Sequence, residues 1–425
     1  MWRSLVAHTH GVRGVAGSNP VIPTKSYHKI LKHFYFMIIN GIFQLILKIK
    51  LLFMKKKILN ILALFILQFG CAQDNPPFIE DPLEINYSYE VIVDEIDVPW
   101  GMDFINKNEL LVTEQSGTLY YVKNGQKKEV TGLPPVYFRG QGGLLDVAIH
   151  PNFSENKIIY MTLGANTEGD KKGGNTSLYS AVLNNTDLGN VTLLYKAKPN
   201  TKTAQHWGSR IVFDQKGHVY FGIGDRGERE TNPQDITKDG GKIYRLNLDG
   251  SIPNDNPFVG KSGAKTGVFS YGHRNPQGMI IHPKTGQIWE HEHGPRGGDE
   301  INIIKKGVNY GWPEITYGIN YSGTIITNKT SAPNMAQPIY YWVPSIAPSG
   351  MAFSTSNIYE NWKDNLFVGS LKFQYLERLV IKNKKIVKRE KILDKIGRVR
   401  DVAEGPDGYL YVAVEGKGIL KIMPK

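Results

Sequence analysis

Cysteine is nearly absent from this 425-residue chain: Cys71 is the only one, so no intramolecular disulfide exists. Acidic residues are missing from the first 57 positions, which hold ten Lys or Arg and no Asp or Glu. The whole chain holds 51 basic and 39 acidic residues, so 41 and 39 remain beyond that stretch. Ten of the twelve formal positive charges therefore belong to the N-terminus. The remainder of the chain is near neutral, which removes the case for a nucleic-acid partner. Long helical periodicity is also missing after Tyr87. The apolar run from Ile58 to Phe69 is too short for a stable membrane helix, which needs about 20 residues.

The N-terminus divides in two. From Met54, "MKKKILNILALFILQFGCAQDN" has a basic start, an apolar run and a small residue before Cys71, the layout of a secretory signal. A cysteine directly after such a run resembles a bacterial lipoprotein cleavage site, where the thiol is acylated. Gln68 departs from the leucine usual three positions earlier. We expect residues 54–71 to be the signal, 72–86 a short linker, and the product an exported periplasmic or cell-envelope lipoprotein whose membrane contact is the lipid at Cys71. A signal belongs at the start of a chain, so Met54 is the expected initiator and residues 1–53 a mis-called extension. "GSNP", Gly17–Pro20, is what the T-loop of a transfer-RNA gene encodes when read as codons.

From Tyr87 onward glycine is abundant and turn residues recur. Six segments share one layout, a turn beside a short apolar and aromatic strand: Asn108–Val122, Asn156–Gly164, Lys216–Asp225, Thr285–Gly294, Asp364–Lys372 and Asp407–Ile422. Turn-then-strand at separations of tens of residues is how propeller blades read in sequence. We expect an all-β, six-bladed propeller of four-stranded antiparallel blades over residues 87–425. Strands at the two ends, Tyr87–Val93 and Gly418–Ile422, would pair and close the ring, removing exposed edges. A two-sheet sandwich is the alternative.

Chemistry concentrates in "HEHGPRGGDE", His291–Glu300, with two histidines and three carboxylates among turn formers. If Gln287–Glu292 is a strand, Trp289, His291 and His293 face one way and Glu290 and Glu292 the other. No single metal collects both sets. The Gly-Pro step offers free carbonyls beside Asp299 and Glu300, oxygen ligands suited to a hard cation such as calcium. Four other clusters stand where strands meet loops: Gln141 among glycines, His206 before an apolar strand, Arg274 and Asn275 in a turn, and Arg398 and Arg400 two apart. Singly each has an ordinary structural explanation. Together they describe a pocket with a base, fixed cations and a metal loop, suited to an anionic cofactor and proton abstraction from a polar substrate.

"GHRNPQG", "EHGPRGGDEIN", "NYGWP", "LNLDGSIPNDNPF", "PSIAPSG" and "RVRDV" occur in an order that resembles the soluble quinoprotein sugar dehydrogenases, the glucose/sorbosone dehydrogenase family. The resemblance runs from Val98 to Ile422, and "EHGPRGGDEIN" is most similar to the aldose sugar dehydrogenase branch. It implies a six-bladed propeller that uses pyrroloquinoline quinone (PQQ) and Ca²⁺ to oxidise aldose sugars to lactones, passing electrons to an external acceptor. It implies His206 as general base, Arg274 beside the quinone oxygen, and Gln141, Asn275 and His293 around the cofactor. Lys372, Arg398 and Arg400 would neutralise its carboxylates. Gly294 and Pro295 would give carbonyl oxygens to a calcium, and Glu300 with the Tyr310 carbonyl would form a second, structural site. Trp207 and Ser209 depart from the Phe and Gly common in relatives. We expect a monomer. A non-catalytic propeller binding sugar or protein, and a calcium-dependent lactonase or hydrolase, are the alternatives.

Overall fold

The computed structural model describes residues 41, 43–52, 87–166 and 172–425. Residues 41 and 43–52 are helical and exposed. The expected signal, linker and cleavage site at 54–86 lie outside the described residues. Among the described residues no helix is long and apolar enough to cross a membrane.

Six four-stranded antiparallel sheets follow one another along the chain. Five are built from consecutive strands within 99–129, 144–196, 211–271, 276–342 and 348–392. We number them blades 1 to 5. Blade 6 takes three strands from 399–424 and its outer strand from the other end of the chain, Tyr87–Val93. That strand pairs antiparallel with Gly418–Pro424, Tyr89 opposite Ile422 and Val91 opposite Leu420. The expected ring closure is therefore the one observed, and the sandwich alternative falls.

Each of the six repeated segments supplies the second strand of its blade, for example His218–Ile223 in blade 3 and Leu410–Val414 in blade 6. The shared turn has a physical cause. Reversing the chain into that strand requires a left-handed residue, which glycine provides without strain at Gly217 (φ 84°) and Gly408 (φ 80°). Lys157 and Asp364 adopt the same conformation in blades 2 and 5, at φ 56° and 65°. The second strands are almost wholly buried because neighbouring blades cover both faces. Aromatic and branched side chains fill the gaps, such as Phe367, Leu376, Val399, Val412 and Leu420 between blades 5 and 6.

The first strands line the axis around a cavity of about 340 Å³. Arg210 ties the ring together there. Its guanidinium bonds Asp146 of blade 2 at 2.9 Å, Asp401 of blade 6 at 3.1 Å, and the carbonyls of Trp100, Gln277 and Arg400. Buried charge is tolerated because every nitrogen has an acceptor.

Candidate active site

His206 sits in the loop that enters blade 3, on a left-handed backbone (φ 56°) that a non-glycine residue adopts only when its surroundings enforce it. Two neighbours do so. The Gln141 Oε1 accepts the His206 N–H at 2.7 Å, and the Asn275 Oδ1 accepts the Gly208 N–H at 3.1 Å. Gly224 leaves no room on the other side, since a Cβ there would stand 2.2 Å from the His206 carbonyl oxygen.

Asp225, at the end of the His218–Ile223 strand, orients the imidazole. Its Oδ1 lies 2.6 Å from His206 Nδ1 and also accepts the Gly227 N–H at 2.8 Å, while Oδ2 accepts Trp312 Nε1–H at 2.9 Å. With three donors converging on it, Asp225 presents an acceptor to Nδ1, which places the ring proton there and leaves the Nε2 lone pair free. Burial pushes the Asp225 carboxyl up, but the bond to His206 and the charges of His206 and Arg274 outweigh it and hold the group below its usual range. Burial draws the His206 imidazole below its ordinary value; Asp225 opposes this and Arg274 adds to it.

A cavity of about 410 Å³ opens over this pair, lined by His206, Asp225, Arg274, Pro295 and Trp312 among others. Arg274 enters it from the turn between blades 3 and 4, its guanidinium 5.4 Å from the Trp312 ring centre. One arm donates to the carbonyls of His293 and Gly294 at 2.9 and 3.0 Å. His293 in turn donates its N–H to the Asn275 carbonyl and sets Nε2 2.7 Å from the Pro348 carbonyl. Gln141, His206, Arg274, Asn275, His293 and Gly294 are thus linked through hydrogen bonds that include Asp225 and Gly208, and Pro295 borders the same cavity.

The remaining cations are placed differently. Arg398 stands just before the strand Val399–Glu404 and Arg400 is its second residue. Both pair with Glu415, Arg398 Nε at 2.9 Å and Arg400 through its Nη2 and Nε. Arg400 also lies 4.8 Å from the Trp100 ring, whose Nε1–H reaches Ser209 Oγ at 3.2 Å. Burial brings the Arg400 guanidinium down to about 10. Arg398 donates to the carbonyl of Leu371, beside the exposed Lys372. The three cations therefore gather at blades 5 and 6, with Glu415 as a resident counter-ion.

Asp299 departs from expectation. Asp299 is not free to ligate: it is wholly buried and accepts from Gly294 N–H, Ser345 Oγ–H, Ile346 N–H and Ala347 N–H. It braces the Gly-Pro step instead. Trp207 forms no wall of the cavity; it is buried beneath Arg226, whose guanidinium stands 3.6 Å from its ring centre, with Gly142 and Gly164 against its edge. Glu300 and Tyr310, named for a second calcium, border one small cavity that Arg274 also lines. With Gly294, Gly298 and Glu292 they surround about 10 Å³, room for one water or ion. Ser209 explains its own departure, since its φ of 123° is the backbone a glycine would take.

Residues 96–421 match the Glucose / Sorbosone dehydrogenase family. The chain belongs to that family. It is 41% identical over 347 residues to an aldose sugar dehydrogenase of Escherichia coli, covering 79% of this chain and 92% of that one. The crystal structure of the soluble E. coli aldose sugar dehydrogenase in its apo form superimposes with a TM-score of 0.77 at 38% identity, covering 80% of this chain and all of that one. The PQQ-bound aldose sugar dehydrogenase of Streptomyces coelicolor gives 0.66 at 26%, covering 82% and 100%. Membership makes the protein an enzyme, an oxidoreductase of the sugar dehydrogenase class, rather than a non-catalytic binding propeller.

Asp225, Glu415 and Arg226 escaped sequence reading. Asp225 lies 19 positions from His206 and Glu415 15 positions from Arg400. "GIGD", Gly222–Asp225, with glycines before an acid at a strand end, was the available signal for the first.

Proposed function

We propose that the protein oxidises the anomeric hydroxyl of aldose sugars to lactones in a PQQ- and Ca²⁺-dependent reaction, with His206 as general base. The observation that carries this is the oriented pair His206–Asp225 opposite Arg274 in one cavity, beside the Gly294–Pro295 carbonyls. Neutral His206 takes the hydroxyl proton on Nε2, and Asp225 stabilises the imidazolium that results. Arg274 faces the same space and stabilises negative charge developing there. When bound, PQQ supplies the two-electron acceptor and calcium a Lewis acid.

The residues suit both groups. The cavity lies within the ~300–1,000 Å³ range of cofactor sites. Gln141 and Asn275 would hydrogen-bond the cofactor, with His293 shaping its wall. Lys372, Arg398 and Arg400 would meet its carboxylates in exchange for Glu415. Gly294, whose carbonyl also accepts from Arg274, and Pro295 would give oxygen donors to one calcium, and Glu300 with the Tyr310 carbonyl to a second. The E. coli and Streptomyces relatives, an aldose sugar dehydrogenase and a PQQ-bound one, support the substrate and cofactor. We assign export to residues 54–71, acylation to Cys71, and action as a monomer passing electrons to an external acceptor.

The test is reconstitution. Exhaustively chelated apoprotein should oxidise aldoses only when PQQ and Ca²⁺ are both added. Full activity with PQQ in the absence of calcium would refute the assignment of Gly294 and Pro295.

A further inference from the structure

In blade 4, strand Ile288–Glu292 pairs antiparallel with Asp299–Ile304, Glu290 opposite Asn302 and Glu292 opposite Glu300. Alternation places Ile288, Glu290 and Glu292 on the same face as Ile304, Asn302 and Glu300. That face starts apolar, where Ile288 and Ile304 pack with Ile243, Phe269 and Tyr310 of the interblade core. It then becomes acidic without leaving the interior: Glu290 is 0% and Glu292 4% exposed.

His273, from the turn after strand Val268–Tyr271 of blade 3, meets this face. Its Nδ1 lies 3.2 Å from Glu292 Oε1, and ligand atoms of His273, Glu290 and Glu292 all lie within 4.8 Å of one another. The charge is not otherwise answered. Arg274 offers Glu292 only its backbone N–H, its guanidinium being turned to the His293 and Gly294 carbonyls. Glu290 Oε1 and Asn302 Oδ1 are both buried without a partner. The Asn302 amide stands 3.4 Å from a carboxylate oxygen of each glutamate, long for a hydrogen bond. Turning that amide over brings its oxygen to the same point. His273 Nε2 is 2.8 Å from Ser270 Oγ, an outer partner able to accept the ring proton on Nε2 and so free the Nδ1 lone pair for an ion lying between it and the carboxylates.

We propose that His273, Glu290, Glu292 and Asn302 form a buried structural site for a divalent transition-metal ion, Zn²⁺ or Mn²⁺. Two carboxylates balance the ion's charge, and the imidazole nitrogen selects against calcium, which prefers all-oxygen sets. The site is separate from the calcium positions, since neither His273 nor Glu290 borders the small cavity at Glu300 and Tyr310. It shares Glu292, which holds the Arg274 backbone, and so lies directly beneath the catalytic turn. Metal binding here is independent of PQQ. The acidic pair does meet a histidine, but one 19 positions away from Glu292 rather than its sequence neighbours His291 and His293.

The test is metal content. Chelated full-length protein is exposed to Zn²⁺ or Mn²⁺ in the presence of Ca²⁺, desalted, and analysed by inductively coupled plasma mass spectrometry. Wild type should keep about one equivalent of Zn²⁺ or Mn²⁺ per chain, and Glu290→Leu should lose it with its calcium unchanged. X-ray absorption of the loaded wild type should show one nitrogen among oxygen ligands. Wild type that retains neither metal overturns the proposal and means Glu290 is held as the protonated acid. Retention of the same equivalent by Glu290→Leu overturns it equally. Should that variant not fold, His273→Gln and the wild-type stoichiometry decide the matter.

Discussion

Asp225→Asn tests how the base is built. The two carboxylate oxygens are already allotted: Oδ1 to His206 Nδ1 and the Gly227 N–H, Oδ2 to Trp312 Nε1–H. An amide has one acceptor and one donor end, so it cannot serve all three. With its oxygen toward His206, its NH₂ meets the Trp312 N–H. With the amide reversed, its NH₂ meets the Gly227 N–H and forces His206 into the tautomer that carries its proton on Nε2, which cannot act as a base. The first orientation keeps the tautomer but loses the charge that stabilises the imidazolium, a charge-assisted bond of about 1.5–3 kcal/mol, or one to two decades in rate. We therefore expect turnover to fall about 10²-fold with PQQ and calcium saturating, measured by dye reduction with an aldose. The pH profile adds a second readout. Asp225 raises the His206 pKa, so its removal should move the acid limb of kcat/KM to lower pH, which a purely structural role would not do. A folded Asp225→Asn enzyme within about threefold of wild-type turnover, with an unmoved acid limb, would refute the assignment of His206 as the oriented base.

His206→Ala should lose about 10²- to 10⁴-fold in turnover while keeping PQQ-dependent fluorescence quenching, because the cofactor is held by other residues. In the wild type, His206 is drawn below 6.5 by burial, so the neutral base persists as pH falls through 6.5 and the acid limb should lie beneath that value; a limb above it would contradict the burial argument. Arg400→Gln should raise the PQQ concentration for half-activation by about one to two decades with near-normal turnover at saturation. Glu415→Gln should lower that concentration, since it removes the anion that competes with the cofactor for the same guanidinium. Weaker PQQ binding in Glu415→Gln would show that the pair faces elsewhere.

The sequence by itself determined the blades. Strand alternation and turn chemistry are local: a short apolar strand such as "HVYFGI" behind a left-handed turn needs only its neighbours in the chain to be recognised. The Gly-Pro loop, the turn carrying Arg274 and Asn275, and the loop carrying His206 were legible for the same reason, as concentrations of polar chemistry at strand ends. Tertiary structure decided which of these groups act together. Asp225 reaches His206, Glu415 reaches Arg400, and Arg226 covers Trp207 because each lies on a different strand or loop, and only sheet pairing and blade closure set those distances. Asp299 was legible as a carboxylate in a loop, but its four donors come mostly from residues 345–347, so its role as a brace had no local mark. Glu290 and Glu292 show the division most plainly. Alternation within one strand put them on a common face, while the packing of blade 3 against that face supplied His273 and excluded the water that would otherwise have answered their charge.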